Sequence, residues 1–276
     1  MNREEAGGSL STVLITGAAG GIGTLMRSRL ARPGRVLRLL DIAPLEAGPG
    51  EEAVLASVTD LDALTEAGRG ADAVIHLGGQ SVEAPWERIL EVNIDGTYKI
   101  FEAARRAGVP RVIFASSNHA VGFHSPDEYP LPDDTTPAPD TYYGVSKVTG
   151  EALGALYHHR YGLDVICIRI LTCFPKPLDQ RALSTWLSPD DCARLFEACL
   201  AAEKPGYRVV YGVSANTRGG WVSLDGAREL GYEPQDDAEV FAAEIIAERG
   251  ELAPDAPVLR RLGGSFTLPQ YDADNL

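Results

Sequence analysis

The stretch TVLITGAAGGIG, residues 12–23, runs an apolar, β-branched segment straight into a glycine-rich turn. TVLITG (12–17) reads as a strand and the stretch 22–31 as a helix. A strand, a glycine turn and a helix in immediate succession suit an anion. Glycines let the backbone approach a pyrophosphate closely, and the helix start offers free N–H groups and the positive end of its dipole. Two glycine registers are open: Gly17, Gly20 and Gly23 fit G-x-x-G-x-x-G, while Gly17, Gly21 and Gly23 fit G-x-x-x-G-x-G, with Ile22 inside both. Both spacings belong to dinucleotide-binding folds.

Outward from this stretch the alternation continues. RVLRLLD (35–41) and DAVIHLGG (72–79) read as strands, followed by a helix over roughly 86–107 that ends at Gly108-Val109-Pro110. RVIFASS (111–117) and LDVICIRI (163–170) are further strands, with a helix from near Thr141 between them. Beyond 170, 187–202 reads as a helix, 207–213 as a strand and 223–230 as a helix. Strands alternating with helices predict an α/β fold, a Rossmann-type doubly wound parallel sheet covered on both faces, with a small C-terminal substrate-binding portion. The expected organisation is a flexible tail over 1–11 and a single NAD-binding domain over 12–276, its substrate-binding elements mainly after 172. The loop 118–140, rich in Pro and Asp, is long enough to cover a site.

RVLRLLD ends in Asp41, 24 residues after Gly17. A carboxylate there accepts hydrogen bonds from adenosine ribose hydroxyls and repels a 2′-phosphate, so NAD is favoured over NADP. The net charge of −14 and pI near 4.8 argue against nucleic acid and against an anionic membrane surface. An anionic substrate would then need a local cation for capture. The four cysteines, Cys167, Cys173, Cys192 and Cys199, form no C-x-x-C pair and have no histidine cluster, so no metal is expected and free thiols in a reducing cytoplasm are. MNREEAGGSLS lacks the pattern of a signal peptide, and no apolar run approaches membrane-spanning length. A soluble, cytoplasmic protein is the expectation.

DTYYGVSK, residues 140–147, carries two tyrosines and a lysine. On a helix, Tyr143 and Lys147 lie one turn apart on one face, whereas Tyr142 points about 140° from Lys147 at ~100° per residue. An ammonium beside a phenol favours the phenolate, which makes Tyr143 and Lys147 a candidate acid/base pair.

TGAAGGIG, Asp41, a strand ending FASS and the YGVSK segment together resemble the extended short-chain dehydrogenase/reductases, a likeness that covers roughly residues 10–175. HLGGQSVEAPWERIL, FASSNHAVGF, YGVSK, RALSTWLSPDD, SANTRGGW and GGSF resemble, more narrowly, the uronate dehydrogenases over nearly the whole chain. The resemblance implies oxidation of a hexuronic acid, D-glucuronate or D-galacturonate, at C1 to the aldarolactone with NAD. It implies Tyr143 as general base, Ser117 holding the reacting hydroxyl, Lys147 depressing the tyrosine pKa and bonding the nicotinamide ribose, and Asn93 supporting a water-linked proton path. Leu77, Gly78, Gly79 and Cys173 would line the cofactor. Ser81, Asn118, His119 and Thr172 would meet the sugar hydroxyls, and Arg181 would grip the carboxylate with two parallel hydrogen bonds. The chain departs from the wider family at Ser57-Val58, where many members have Asp-Leu against adenine, with Asp60 three residues on. It also carries one additional residue before Tyr143, around Pro137 to Asp140.

A nucleotide-sugar epimerase or dehydratase holding NAD uses the same Tyr/Lys pair. It generally needs a larger C-terminal lobe, and no basic cluster here awaits a diphosphate. A non-catalytic NAD sensor has no use for Ser117, Tyr143 and Lys147 together. The helix over 86–107 offers an apolar face either to the sheet or to a second subunit, and a homo-oligomer is expected.

Overall fold

The computed structural model describes residues 12–272; the tail expected over 1–11 lies outside them. Its chain order is β1 (Thr12–Thr16), α1 (Gly21–Leu30), β2 (Val36–Asp41), β3 (Glu51–Leu55), α2 (Leu61–Gly68) and β4 (Ala73–His76). Then come α3 (Trp86–Arg88), a π-helical turn (Ile89–Asp95), α4 (Gly96–Ala107), β5 (Arg111–Ser117), α5 (Tyr142–Tyr161) and β6 (Asp164–Ile170). β7 (Thr172–Cys173), α6 (Ala182–Thr185), β8 (Trp186–Leu187), α7 (Pro189–Ala201), β9 (Tyr207–Gly212), α8 (Asp225–Glu229) and α9 (Ala242–Arg249) follow, with short 3₁₀ turns between.

Seven strands form one parallel sheet in the order β3-β2-β1-β4-β5-β6-β9, and β7 pairs with β8 separately. This is the doubly wound α/β fold the alternation predicts. Central strands are buried on both faces, which is why they read as unbroken apolar runs. Val13, Ile15, Met26, Leu30, Leu195 and Phe196 fill one side. Leu14, Leu64, Ile100, Phe101, Tyr157 and Val165 fill the other. The order in which strands are added reverses between β1 and β4 while all strands stay parallel, and in such sheets ligands bind beyond the carboxyl ends of the strands at that point. Gly17 follows β1 there, and Leu77-Gly78-Gly79 follow β4.

Several elements differ from expectation. β3 and α2 were not anticipated as elements: EEAVL is an edge strand with largely solvent-facing side chains and no apolar run. The helix over 86–107 is continuous but carries the π-helical turn in its first half. The loop 118–140 contains two short 3₁₀ turns, Asn118–Val121 and Pro126–Glu128. α6, α9 and the 3₁₀ turns from Ala238 onward are further additions to the elements the sequence predicts.

Candidate active site

At the end of β1 the chain turns with Gly17 at φ +70°, a conformation that disfavours side chains. A Cβ on Gly17 would lie 2.6 Å from the Gly78 amide nitrogen, and one on Gly23 would lie 2.3 Å from the Gly17 carbonyl oxygen. Gly20 is tighter than ordinary contact at 3.1 Å, whereas Gly21 meets nothing within 4 Å. Packing therefore selects the register Gly17, Gly20, Gly23. Gly20 caps α1 without a side-chain bond, so the N–H groups at the helix start are left for an anion. Asp41 supports this turn: its Oδ2 accepts from Ala19 N at 2.9 Å and its Oδ1 from Ala43 N at 2.9 Å. Each oxygen keeps a second lone pair for ribose hydroxyls. The residues fit a dinucleotide.

Beside this cradle, Val58 is buried and packs where a Cβ on Gly78 or Gly96 would clash. Ser57 Oγ pairs with Thr59 Oγ1 at 2.8 Å, and Asp60 caps α2 by accepting from Ala63 N at 3.0 Å. Asp60 is thus committed to its helix.

Thr141 caps α5 through a bond from Gly144 N. A remote carboxylate completes this helix start: buried Glu83 accepts from Tyr142 N at 3.1 Å and Tyr143 N at 2.7 Å. The anion at the positive end of α5 fixes Tyr143 in place. Tyr142 points away, 41% exposed and edge-on to Trp86, while Tyr143 is 8% exposed. Lys147 Nζ lies 5.2 Å from the Tyr143 ring centroid and donates to the Ala115 carbonyl at 2.8 Å.

Burial dominates the electrostatics of this pair. Burial pushes the Tyr143 phenol up to about 12; Ser117, hydrogen-bonded to it, draws it back, and the charge of Asp140 raises it. Burial lowers the Lys147 amine to about 8, with Glu151 opposing. Burial thus works against both charged forms, the phenolate of Tyr143 and the ammonium of Lys147.

Ser117 ends β5, buried, and its Oγ accepts from His119 N at 3.2 Å. Asn93, inside the π-helical turn, accepts from Gln80 N at 2.7 Å and donates to Gln80 O at 3.0 Å and Ser146 Oγ at 3.1 Å. It ties the Gly79-Gln80 loop to α5, a common use of a π turn at a site. Ser81 follows on that loop, exposed.

The opposite wall is held from the C-terminal end. The Leu262 carbonyl accepts from Asn118 Nδ2 at 3.1 Å and from Arg181 Nη2. The Arg181 guanidinium sits 5.8 Å from the Trp221 ring centroid, and Trp221 stacks on Tyr129 at 5.3 Å. Its Nε is buried with no partner, and no carboxylate among the described residues pairs with it. Burial lowers the Arg181 pKa, with Asp179, Tyr129 and Asp140 opposing. Thr172 Oγ1 lies 2.9 Å from Thr185 Oγ1, and Cys173 is buried with its thiol against Cys192.

Asp140, Glu83, Trp221, Leu262 and Phe266 were missed from the sequence. The glycines at 122, 144 and 263 around Asp140 were the available signal.

Residues 13–188 match the sequence pattern of the NAD dependent epimerase/dehydratase family. Over 256 residues the chain is 44% identical to the uronate dehydrogenase of Pseudomonas syringae pv. tomato, covering 92% of each. It is 41% identical over 254 residues to the NAD-dependent glucose-6-phosphate dehydrogenase of Haloferax volcanii, covering 84% of this chain and 96% of that one. Among solved structures, it is similar to a mutant of uronate dehydrogenase from Agrobacterium tumefaciens complexed with NAD, at a TM-score of 0.89 and 42% identity, covering 94% of this chain and 97% of that chain.

Proposed function

The chain belongs to the NAD dependent epimerase/dehydratase family, and on that premise we propose that it oxidises C1 of a cyclic hexuronic acid, D-glucuronate or D-galacturonate, to the aldarolactone with NAD. One observation carries the substrate class. Arg181 is a cation held in place by Trp221 and the Leu262 carbonyl, with a buried unpartnered Nε and no protein carboxylate paired to it among the described residues. A bound carboxylate supplies the missing partner in the planar, two-bond manner a guanidinium favours.

The roles follow from position. Gly17, Gly20, Gly21, Ile22 and Gly23 would hold the pyrophosphate, Asp41 the adenosine ribose, and Leu77, Gly78, Gly79, Ser57, Val58 and Cys173 would line the remainder. Bound NAD supplies the hydride acceptor and a positive charge that favours the Tyr143 phenolate. Ser117 Oγ orients the C1 hydroxyl, and Tyr143 accepts its proton. Lys147, with an amine near 8, holds a proton close to the ring and keeps donors beyond the Ala115 carbonyl for a ribose hydroxyl. Asn93 keeps the Gly79-Gln80 loop and α5 in register. Ser81, Asn118, His119 and Thr172 offer neutral hydrogen bonds to the sugar.

The same reading treats 12–276 as one NAD-binding unit with its sugar-binding elements mainly after 172. No helix among the described residues is long and apolar enough to cross a membrane. Four buried free cysteines support a cytoplasmic place in carbohydrate metabolism. Exposed Tyr98 on α4 with Leu156 and Tyr161 on α5 support a homo-oligomer. A sugar phosphate is the second reading, favoured by the 41% identity to the Haloferax volcanii enzyme.

The test is NADH absorbance with glucuronate, galacturonate, glucose 6-phosphate, L-arabinose, neutral hexoses and UDP-sugars in parallel, each with NAD and NADP. A rise with uronates and NAD alone is expected. In Arg181→Ala, KM for the uronate should rise far more than KM for NAD. Turnover of glucose 6-phosphate alone would replace the carboxylate with a phosphate, and silence with every free sugar would favour an epimerase.

A further inference from the structure

We propose that Asp140 is a positioning residue of this site: its buried carboxylate fixes the His119 ring with the proton on Nδ1, so that Nε2 meets the substrate as a hydrogen-bond acceptor. His119 Nδ1 lies 2.7 Å from Asp140 Oδ2, and the Asp140 side chain is 0% exposed. Its other oxygen accepts from Thr141 Oγ1 at 2.9 Å, and Thr141 is the cap of α5. The carboxylate is therefore anchored to the helix that carries Tyr143.

Three separate segments leave room for it. A Cβ on Gly122 or on Gly263 would sit 1.9 Å from Asp140 Oδ2, and one on Gly144 would sit 3.2 Å from Oδ1. A loop that merely solvated an aspartate would not need three glycines around a dry carboxylate. Only acceptor oxygens are available on a carboxylate, so Nδ1 donates, and a histidine's free nitrogen takes its role from the bond the other nitrogen makes. The His119 ring is edge-on to the Tyr143 ring at 5.7 Å and lies against Phe266 at 4.1 Å. Its one side-chain hydrogen bond among the described residues is the one from Nδ1. Nε2, without a hydrogen-bond partner among the described residues on a ring edge-on to Tyr143, suits a sugar hydroxyl that must donate. What Nε2 meets rests on the proposed function; the tautomer does not.

Long-range ¹H–¹⁵N correlation of the whole protein labelled at histidine nitrogen, with His119→Gln for assignment, reads the tautomer directly. Nδ1 protonated and Nε2 bare is expected in the wild type, and Nε2 protonated would overturn the proposal. In steady-state kinetics, Asp140→Asn should lower kcat/KM for the uronate by roughly 10–100-fold, by analogy with losing a carboxylate that orients a metal-bound histidine, with KM for NAD unchanged within twofold. In a His119→Gln background the same change should cost less than threefold, whereas an equal loss in both backgrounds would overturn the proposal. If no uronate is turned over, the proposed function fails and the wild-type tautomer alone decides the role of Asp140.

Discussion

Replacing Glu151 by glutamine tests how the interior behind the catalytic helix supports it. Glu151 and Arg169 are 5% and 3% exposed, joined by two bonds of 2.9 Å, with Ser116 Oγ donating to the same carboxylate at 2.6 Å. Arg169 Nη1 also reaches the Tyr211 hydroxyl at 3.2 Å. Glutamine keeps the volume and an acceptor for Ser116 but leaves a guanidinium buried without its counter-charge. Breaking one side of a buried pair costs about 3–5 kcal/mol. For a protein of this size that lowers Tm by roughly 6–20 °C. The double variant Glu151→Gln/Arg169→Met should recover most of the loss, because no buried charge remains.

The same substitution reaches the chemistry. Glu151 stands one turn after Lys147 and opposes the burial that brings the lysine to about 8. Without it the amine falls further, so Lys147 loses its proton at lower pH and any limb of the pH–rate profile that reports this group moves down. Thermal melts and a profile of kcat/KM from pH 6 to 10 measure both effects. A melt within 2 °C of the wild type would show that Tyr211 and the backbone satisfy Arg169 unaided, and an unmoved limb would show that Lys147 does not feel the carboxylate.

Tyr143→Phe should abolish turnover while leaving NAD affinity within a few fold, and Tyr142→Phe should keep near-normal rates, both checked by steady-state kinetics and NAD titration; activity in Tyr143→Phe would remove the general base. Gly23→Ala should raise KM for NAD steeply, since its Cβ meets the Gly17 carbonyl at 2.3 Å, while Gly21→Ala, with open space around it, should leave the melting temperature unchanged or slightly raised. His76 is held near 3 by burial, with Lys147 adding to the effect. Its folded pKa lies below the unfolded 6.5, so the unfolded chain binds the extra proton and stability falls as pH drops from 6.5 toward 3. This group alone removes about 2 kcal/mol by pH 5. Denaturant midpoints at pH 7 and 5 should show a shallower loss for His76→Asn, and identical slopes would refute the assignment.

What the sequence disclosed was local. The strand before Gly17, the strand ending at Ser117 and the helix from Thr141 carry their own periodicity and caps, so their places and the Tyr143/Lys147 spacing were readable. β3 was harder, because the edge strand EEAVL has largely solvent-facing side chains and no apolar run, and takes its register from pairing with β2. α2 did carry a signal, Asp60 bonding three residues on, that reading for apolar runs passed over. Asp140 and Glu83 look like solvated carboxylates in polar loops, and only tertiary packing makes one a dry anchor and the other a helix cap. Helical spacing likewise displays the tyrosine and lysine, whereas the burial that raises the phenol is a tertiary property that spacing does not carry.

The most direct measurement uses hexuronate deuterated at C1 with NAD, following both products by NMR. Deuterium at C4 of the nicotinamide, together with an aldarolactone and a slowed rate, is the predicted result. Deuterium retained in the sugar, or reduced cofactor without label, would contradict oxidation at C1.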